Sequence, residues 1–153
     1  MAQWARERPG LDVSPMQVIG RLSRVAAVLD ERLRPPFAAE GLGDGEFDVL
    51  ASLRRAGDPF VLTPTQLTET MMVTSGAVTK RVDRLMAKGL VTRVASPTDG
   101  RGRLIGLTAE GVALVDRLVV AHVANERRLL AALTPDQCAQ LAGLLRTLVN
   151  SIA

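Results

Sequence analysis

The apolar positions of the chain fall into helical, strand-like and seam-like spacings, and these divide it into elements. From Ser14 to Arg34, Val18, Leu22, Val25, Leu29 and Leu33 form one stripe, which predicts a long helix ended by Pro35-Pro36. After the turn GLGDG, Glu46 to Arg55 predicts a second helix with Phe47, Leu50 and Leu53 inward, closed by Gly57-Asp58-Pro59. Two short helices follow, Pro64 to Met71 and Ser75 to Lys88, and Gly89 is placed to end the second. Leu90 to Ala95 and Arg103 to Leu107 are strand candidates joined by the turn-forming stretch SPTDGRG. A helix is expected from Ala109 to Ala132. In the last segment Cys138, Leu141, Leu145, Leu148 and Ile152 alternate spacings of three and four, the seam of a helix that meets another helix along its length.

Helix starts are marked by a repeated device. Ser14-Pro15-Met16-Gln17, Thr63-Pro64-Thr65-Gln66 and Thr134-Pro135-Asp136-Gln137 each offer a hydroxyl cap, a proline at the first helical position and a glutamine to close a capping box. Thr108 has the cap, but Gly111 stands where the glutamine would be. The order of elements predicts a mostly α fold with a small β-hairpin wing, that is, a winged helix-turn-helix. In a single domain of residues 1–153, residues 46–108 would form the winged module. Residues 1–45 and 109–153 would supply N- and C-terminal dimerisation helices. Packing within one subunit is the other use of the C-terminal seam.

Composition narrows the function. The chain has 153 residues, 47% of them apolar and only 3% aromatic, which suits a helical core. Its net charge is +3, but between Thr63 and Thr108 seven cations (Lys80, Arg81, Arg84, Lys88, Arg93, Arg101, Arg103) face three anions (Glu69, Asp83, Asp99), so basicity is concentrated there. One cysteine, Cys138, and one histidine, His122, supply neither an intramolecular disulfide nor a usual metal set, and no cofactor is expected. The N-terminus lacks the apolar run of a signal peptide, and Val112 to Val123 is too short and too charged to span a bilayer. A soluble, cytoplasmic protein is expected, without a membrane partner. No nucleophile elbow, phosphate loop or paired acid–base motif points to an enzyme.

The basic stretch suggests DNA as a partner. On the helix Ser75 to Lys88, Val78, Val82, Leu85 and Met86 fall on one side, while Gly76, Lys80, Asp83, Arg84 and Ala87 fall opposite with Thr79 on the flank. Ser75 and Gly76 make a small N-terminal end that lets the backbone approach a duplex. Thr79 and Lys80 are the candidates for reading base edges, and Arg84 for phosphate. Arg101 at the tip of the turn and Arg103 beyond it can meet a minor groove, where the potential is most negative. Asp99 suits a structural partner of an arginine. An ordinary solvated helix face is the plain alternative for this helix taken alone.

Taken together, LTPTQL, VTSGAVTKRVDRLMAKGLV and DGRGRLIGLTAEG resemble the multiple-antibiotic-resistance regulator (MarR) family of bacterial repressors, over most of the chain. The resemblance implies winged-helix homodimers clasped by their terminal helices. Lys80 stands where close relatives often have asparagine, and Gly100 precedes Arg101 where the family commonly has a second arginine. Trp4 in WARERPGLD, Asp48 in GEFDVL, Arg81 in TKRVDRL and Arg93 in LVTRV are similar to the urate-responsive branch, in which the matching residues line a ligand pocket. That likeness implies a small anionic or aromatic effector, urate or another purine or carboxylate. Two guanidiniums would hold the anion, the indole would stack on it, and Asp48 would accept a ring N–H or hold Arg81 in the empty state. The implied function is a ligand-responsive repressor of a pseudo-palindromic operator. The alternative is an effector-independent DNA-binding or architectural protein, in which the same residues are structural ion pairs and Trp4 an anchor.

Overall fold

The computed structural model describes residues 2–71, 74–95 and 103–152. Its elements are α1 (Ala2–Glu7), α2 (Ser14–Leu33), α3 (Pro35–Ala39), α4 (Glu46–Arg55), β1 (Val61–Leu62), α5 (Pro64–Met71), α6 (Ser75–Ala87), β2 (Val91–Ala95), β3 (Arg103–Leu107), α7 (Ala109–Leu129) and α8 (Pro135–Ile152). The chain divides into two compact units, Met1–Pro35 and Pro36–Ala153. It is mostly helical with one small antiparallel sheet, as the spacing of apolar positions predicts.

In the N-terminal unit, α2 carries the expected stripe, but none of its residues is buried. Leu22, Leu29 and Leu33 are half-buried, and Val18 and Val25 are exposed. Its start differs from the expected one. Ser14 does not cap the helix; Asp12 accepts from both its N–H (2.9 Å) and its hydroxyl (3.1 Å), and Gln17 accepts from Arg21 instead of closing a box. The Asp12 carboxylate, two residues upstream, takes the Ser14 N–H that the Gln17 side chain would have accepted in a capping box. Asp12 is held below the usual aspartate range by these two hydrogen bonds. The Pro35-Pro36 pair ends α2 as expected, yet Pro35 also begins α3, because proline fits a first helical turn, where its missing N–H would have had no partner.

The second unit holds the core. Phe47, Val49, Leu50 and Leu53 of α4, Leu67 of α5, Val78, Val82 and Leu85 of α6, Val91 and Ile105 of the sheet and Leu114, Val115 and Leu118 of α7 pack into one cluster. Each such side chain contributes about 1.5–3 kcal/mol through burial. The sheet order is β1-β3-β2, with Val61 opposite Gly106 and Val91 opposite Leu107. β1, two residues long, was not evident from the sequence, since only its pairing with β3 makes it a strand.

Two capping boxes form as expected. Thr63 N–H donates to Gln66 Oε1 (2.8 Å) while Gln66 N–H donates to Thr63 Oγ1 (3.1 Å), and Thr134 and Gln137 repeat the pattern at 2.9 and 3.3 Å. At α7 the structure explains the glycine that replaces the glutamine. Thr108 Oγ1 accepts from Gly111 N–H (3.0 Å), and a β-carbon on Gly111 would lie 2.1 Å from the Leu90 carbonyl oxygen. The first turn of α7 is pressed onto the chain that leaves α6, so no side chain fits there. Gly89 has φ +70°, the left-handed turn that ends α6.

Candidate nucleic-acid interface and effector residues

Helix α6 is built to show one face. Thr74 caps it by accepting from Ala77 N–H, and Val78, Val82 and Leu85 on its inner side are buried in the core. On the other side Gly76, Thr79, Lys80, Asp83, Arg84 and Ala87 line a shallow exposed hollow. Ser75 is exposed beside them, and its carbonyl accepts from the Thr79 hydroxyl at 3.1 Å. That hydroxyl proton is therefore engaged within the helix, and the Thr79 methyl and oxygen lone pairs are what remain for a base edge. Lys80 makes no ion pair among the described residues, which leaves its ammonium to the solvent side of the hollow.

The C-terminal half of α6 is tied down. Asp83 pairs with Arg93 on β2 at 2.7 Å. Arg84 Nε lies 2.9 Å from Glu46 Oε1, and Lys88 pairs with Glu46 Oε2 while also donating to the Gly41 carbonyl at 2.7 Å. Glu46 is fully buried and also accepts from Gly43 N–H at 2.9 Å. Burial by itself would push its carboxyl up, but Lys88, the Gly43 N–H and Arg84 more than offset that and hold it below the usual glutamate value. Sequence reasoning missed this carboxylate. The available signal was two cations four residues apart, Arg84 and Lys88, which lie on one helix face and suit a single shared anion.

Of the wing, Arg103 begins β3, opposite Ala95 of β2, and is exposed. Arg101 and Asp99 lie outside the described residues. The four residues singled out for an effector sit on four elements. Trp4 is on α1 in the N-terminal unit and is 45% exposed. In the other unit Arg93 is paired with Asp83 on α6. The Arg81 guanidinium lies against Gly45, where a β-carbon would come within 2.2 Å of its Cζ; Gly45 has φ +70° and stands at the N-cap of α4. Asp48, exposed on the same first turn of α4, makes no ion pair with Arg81 among the described residues. It lines a cavity of about 450 Å³ between α4, α5 and α7, together with Arg54, Arg55, Thr70, His122 and Glu126. The His122 ring packs against Phe37 and Phe47 at centroid distances of 5.2 and 5.0 Å, and its Nε2 lies 3.2 Å from Glu126. Arg54 is already paired with Asp116 at 2.8 Å.

A helix seated by an apolar back, presented beside a two-stranded hairpin and preceded by a second short helix, defines a winged helix-turn-helix protein. The MarR family model matches residues 40–102. The HTH-type transcriptional regulator PecS of Dickeya dadantii is 43% identical over 143 residues, spanning 94% of this chain and 86% of that protein. The multiple antibiotic resistance protein MarR of Escherichia coli is 34% identical over 132 residues, 84% of this chain and 88% of the relative. A mutant of the E. coli MarR complexed with operator DNA superposes with a TM-score of 0.77 at 31% identity, covering 90% of this chain and 99% of the other. A MarR family transcriptional regulator from Streptomyces coelicolor in complex with DNA gives 0.84 at 25% identity, over 94% of each chain. The chain belongs to the MarR family of DNA-binding transcriptional regulators. No helix among the described residues is long and apolar enough to cross a membrane.

Proposed function

We propose that the chain is a cytoplasmic repressor rather than an enzyme, that it binds a pseudo-palindromic operator as a homodimer, and that a small anionic ligand such as urate releases it. The observation that carries this reading is the exposed face of α6. Gly76, Thr79 and Lys80 stand clear of internal ion pairs on a helix whose opposite side is locked in the core. Ser75 and Gly76 let the backbone approach, Thr79 and Lys80 read bases, and Arg84, Arg101 and Arg103 meet phosphate or the minor groove. Two copies of such a module, held by the terminal helices, would address two half-sites of one operator. The single domain of residues 1–153 then has its winged module at 46–108 and its dimerisation helices at 1–45 and 109–153.

For the effector, support comes from Arg81. Its guanidinium sits at the N-terminal end of α4, where the helix dipole already favours an anion, and no carboxylate pairs with it among the described residues. Trp4, Asp48 and Arg93 complete the ligand set in this reading. An anion that drew Arg93 from Asp83 and engaged Arg81 would act on α6 from two sides, and release would follow from its preference for the altered conformation. Effector-independent DNA binding is the second reading, and it is favoured by one observation: Arg93 is already satisfied by Asp83.

A mobility-shift titration on the intergenic DNA beside the protein's own gene tests both, with urate, xanthine, salicylate and citrate added separately. Release by urate at low concentration, lost in Trp4→Phe with DNA binding intact, supports the first reading. Retention of the shift with every ligand supports the second.

A further inference from the structure

We propose that Glu46 is a positioning residue for operator binding: from beneath the recognition helix its carboxylate fixes the Arg84 guanidinium in the place from which it meets phosphate. The proposal rests on the reading of α6 as the DNA-facing helix and assigns a role to a residue of the core beneath it.

A fully buried carboxylate is tolerated only when its charge is matched, and here both matching cations come from α6, one turn apart. They are held differently. Lys88 is committed twice, to Glu46 and to the Gly41 carbonyl, and so anchors the C-terminal end of the helix. Arg84 is close to Oε1, at 2.9 Å, but its N–H does not point along that line, and Oε1 receives no aligned hydrogen bond. The pairing is thus made through Nε alone, and the terminal N–H groups of the guanidinium have no partner among the described residues. Arg84 meanwhile remains 46% exposed and shares the hollow with Thr79 and Lys80.

A long arginine side chain free in solvent would lose rotamer entropy when it met a phosphate. A side chain already localised by a buried counter-charge loses less, so the carboxylate raises affinity without touching DNA. A phosphate also brings its own negative charge, which Arg84 meets while Lys88 still compensates Glu46. This arrangement separates the two roles that the pair of cations performs.

The test is operator affinity of the full chain over a salt series, on the same intergenic duplex, for Glu46→Gln, Arg84→Ala, the double variant and Lys80→Ala. Each is accompanied by a thermal melt. Glu46→Gln should weaken binding about tenfold and flatten the dependence of log affinity on log salt by about one phosphate contact, as Arg84→Ala does. In the Arg84→Ala background, Glu46→Gln should change nothing further. A Glu46→Gln loss of the same size in that background overturns the proposal, because the effect then does not pass through Arg84. Tighter binding by Glu46→Gln overturns it too, since the carboxylate would be competing with phosphate for the arginine. If Glu46→Gln fails to fold, Glu46→Asp keeps the charge but draws it back by one methylene; it should show a smaller loss with the same dependence on Arg84, and unchanged affinity overturns the idea. If Lys80→Ala weakens binding while Glu46→Gln and Arg84→Ala do not, only the positioning role falls. If none of the three matters, α6 is not the DNA face and both readings fall together.

Discussion

Helices α4 and α8 are both amphipathic, yet their apolar residues meet different fates. In α4 Phe47, Val49, Leu50 and Leu53 are buried by α5, α6, α7 and the sheet of the same unit. In α8 no residue is buried, and Leu141, Leu144, Leu145, Val149 and Ile152 lie exposed along its length. In the N-terminal unit α2 repeats the pattern, with Met16, Val18, Ile19, Val25 and Val28 exposed. Periodicity reports that a face is made to be covered. It does not report whether the cover comes from the same chain. The winged module completes itself, whereas the long terminal helices present apolar surface of the kind that marks protein–protein interfaces.

The sharpest break of that contrast lies inside the module. Gly111→Ala drives a methyl into the Leu90 carbonyl at the joint between α6 and α7, where backbone faces backbone and cannot rotate away. A loss of about 3 kcal/mol is expected in urea unfolding. A near-neutral result would mean that the first turn of α7 is not pressed onto the chain that leaves α6, and that the module is more self-contained than α8 only by degree.

Charges on α8 should act differently. Leu141→Glu with Leu145→Glu leaves the hydrophobic core untouched because neither side chain belongs to it. If the chain is the proposed homodimer, the pair should give monomers by light scattering and lower operator affinity on the order of 100-fold, through loss of bivalent binding, with helicity by circular dichroism unchanged. A variant that stays dimeric would place the seam elsewhere and leave the exposed face of α8 without a role.

What the sequence revealed follows the same division. Caps that rest on residues three apart, such as Thr63 with Gln66, were legible because both partners lie in one turn. So were the two faces of α6, which follow from helical period alone. The Ser14 cap was misread because Asp12, two residues away, offered a competing acceptor. The spacing of Arg84 and Lys88 hints at a shared anion, but it does not name Glu46, because folding brings together residues 38 and 42 positions apart. The candidate effector residues show a similar limit. Asp48, Arg81 and Arg93 were recognised one by one from motifs, yet Arg93 meets Asp83 across a helix–strand turn, and Asp48 faces a cavity lined by Arg54, Arg55 and His122. Motif matching supplied the residues and not their neighbours.

Acid should separate the two regions next. The Glu46 carboxyl is depressed in the folded module, so the stability that it contributes is fully present above the ordinary glutamate value of 4.5 and is lost as the pH falls through the lower folded value. Unfolding in urea should therefore shift to lower denaturant below about pH 4.5, and Glu46→Gln should flatten that part of the profile. Asp12, depressed in the N-terminal unit, has the same sign. A Glu46→Gln profile parallel to that of the parent protein would assign the acid sensitivity to Asp12 and other carboxylates outside the core.

The smallest effect asks whether the terminal helices are open in the proposed dimer. Gly20 lies in the middle of α2, where a β-carbon would meet nothing within 4 Å in the single chain. In a helix interior alanine is favoured over glycine by roughly 0.5–1 kcal/mol, chiefly because the unfolded glycine has more freedom to lose. Gly20→Ala should accordingly stabilise the protein by that amount if this side of α2 faces water in the proposed dimer. Destabilisation, together with a weaker dimer by concentration-dependent light scattering, would show that the partner's backbone comes close at Gly20. The small residue would then be part of the interface, and the open face of α2 would be open only in the isolated chain.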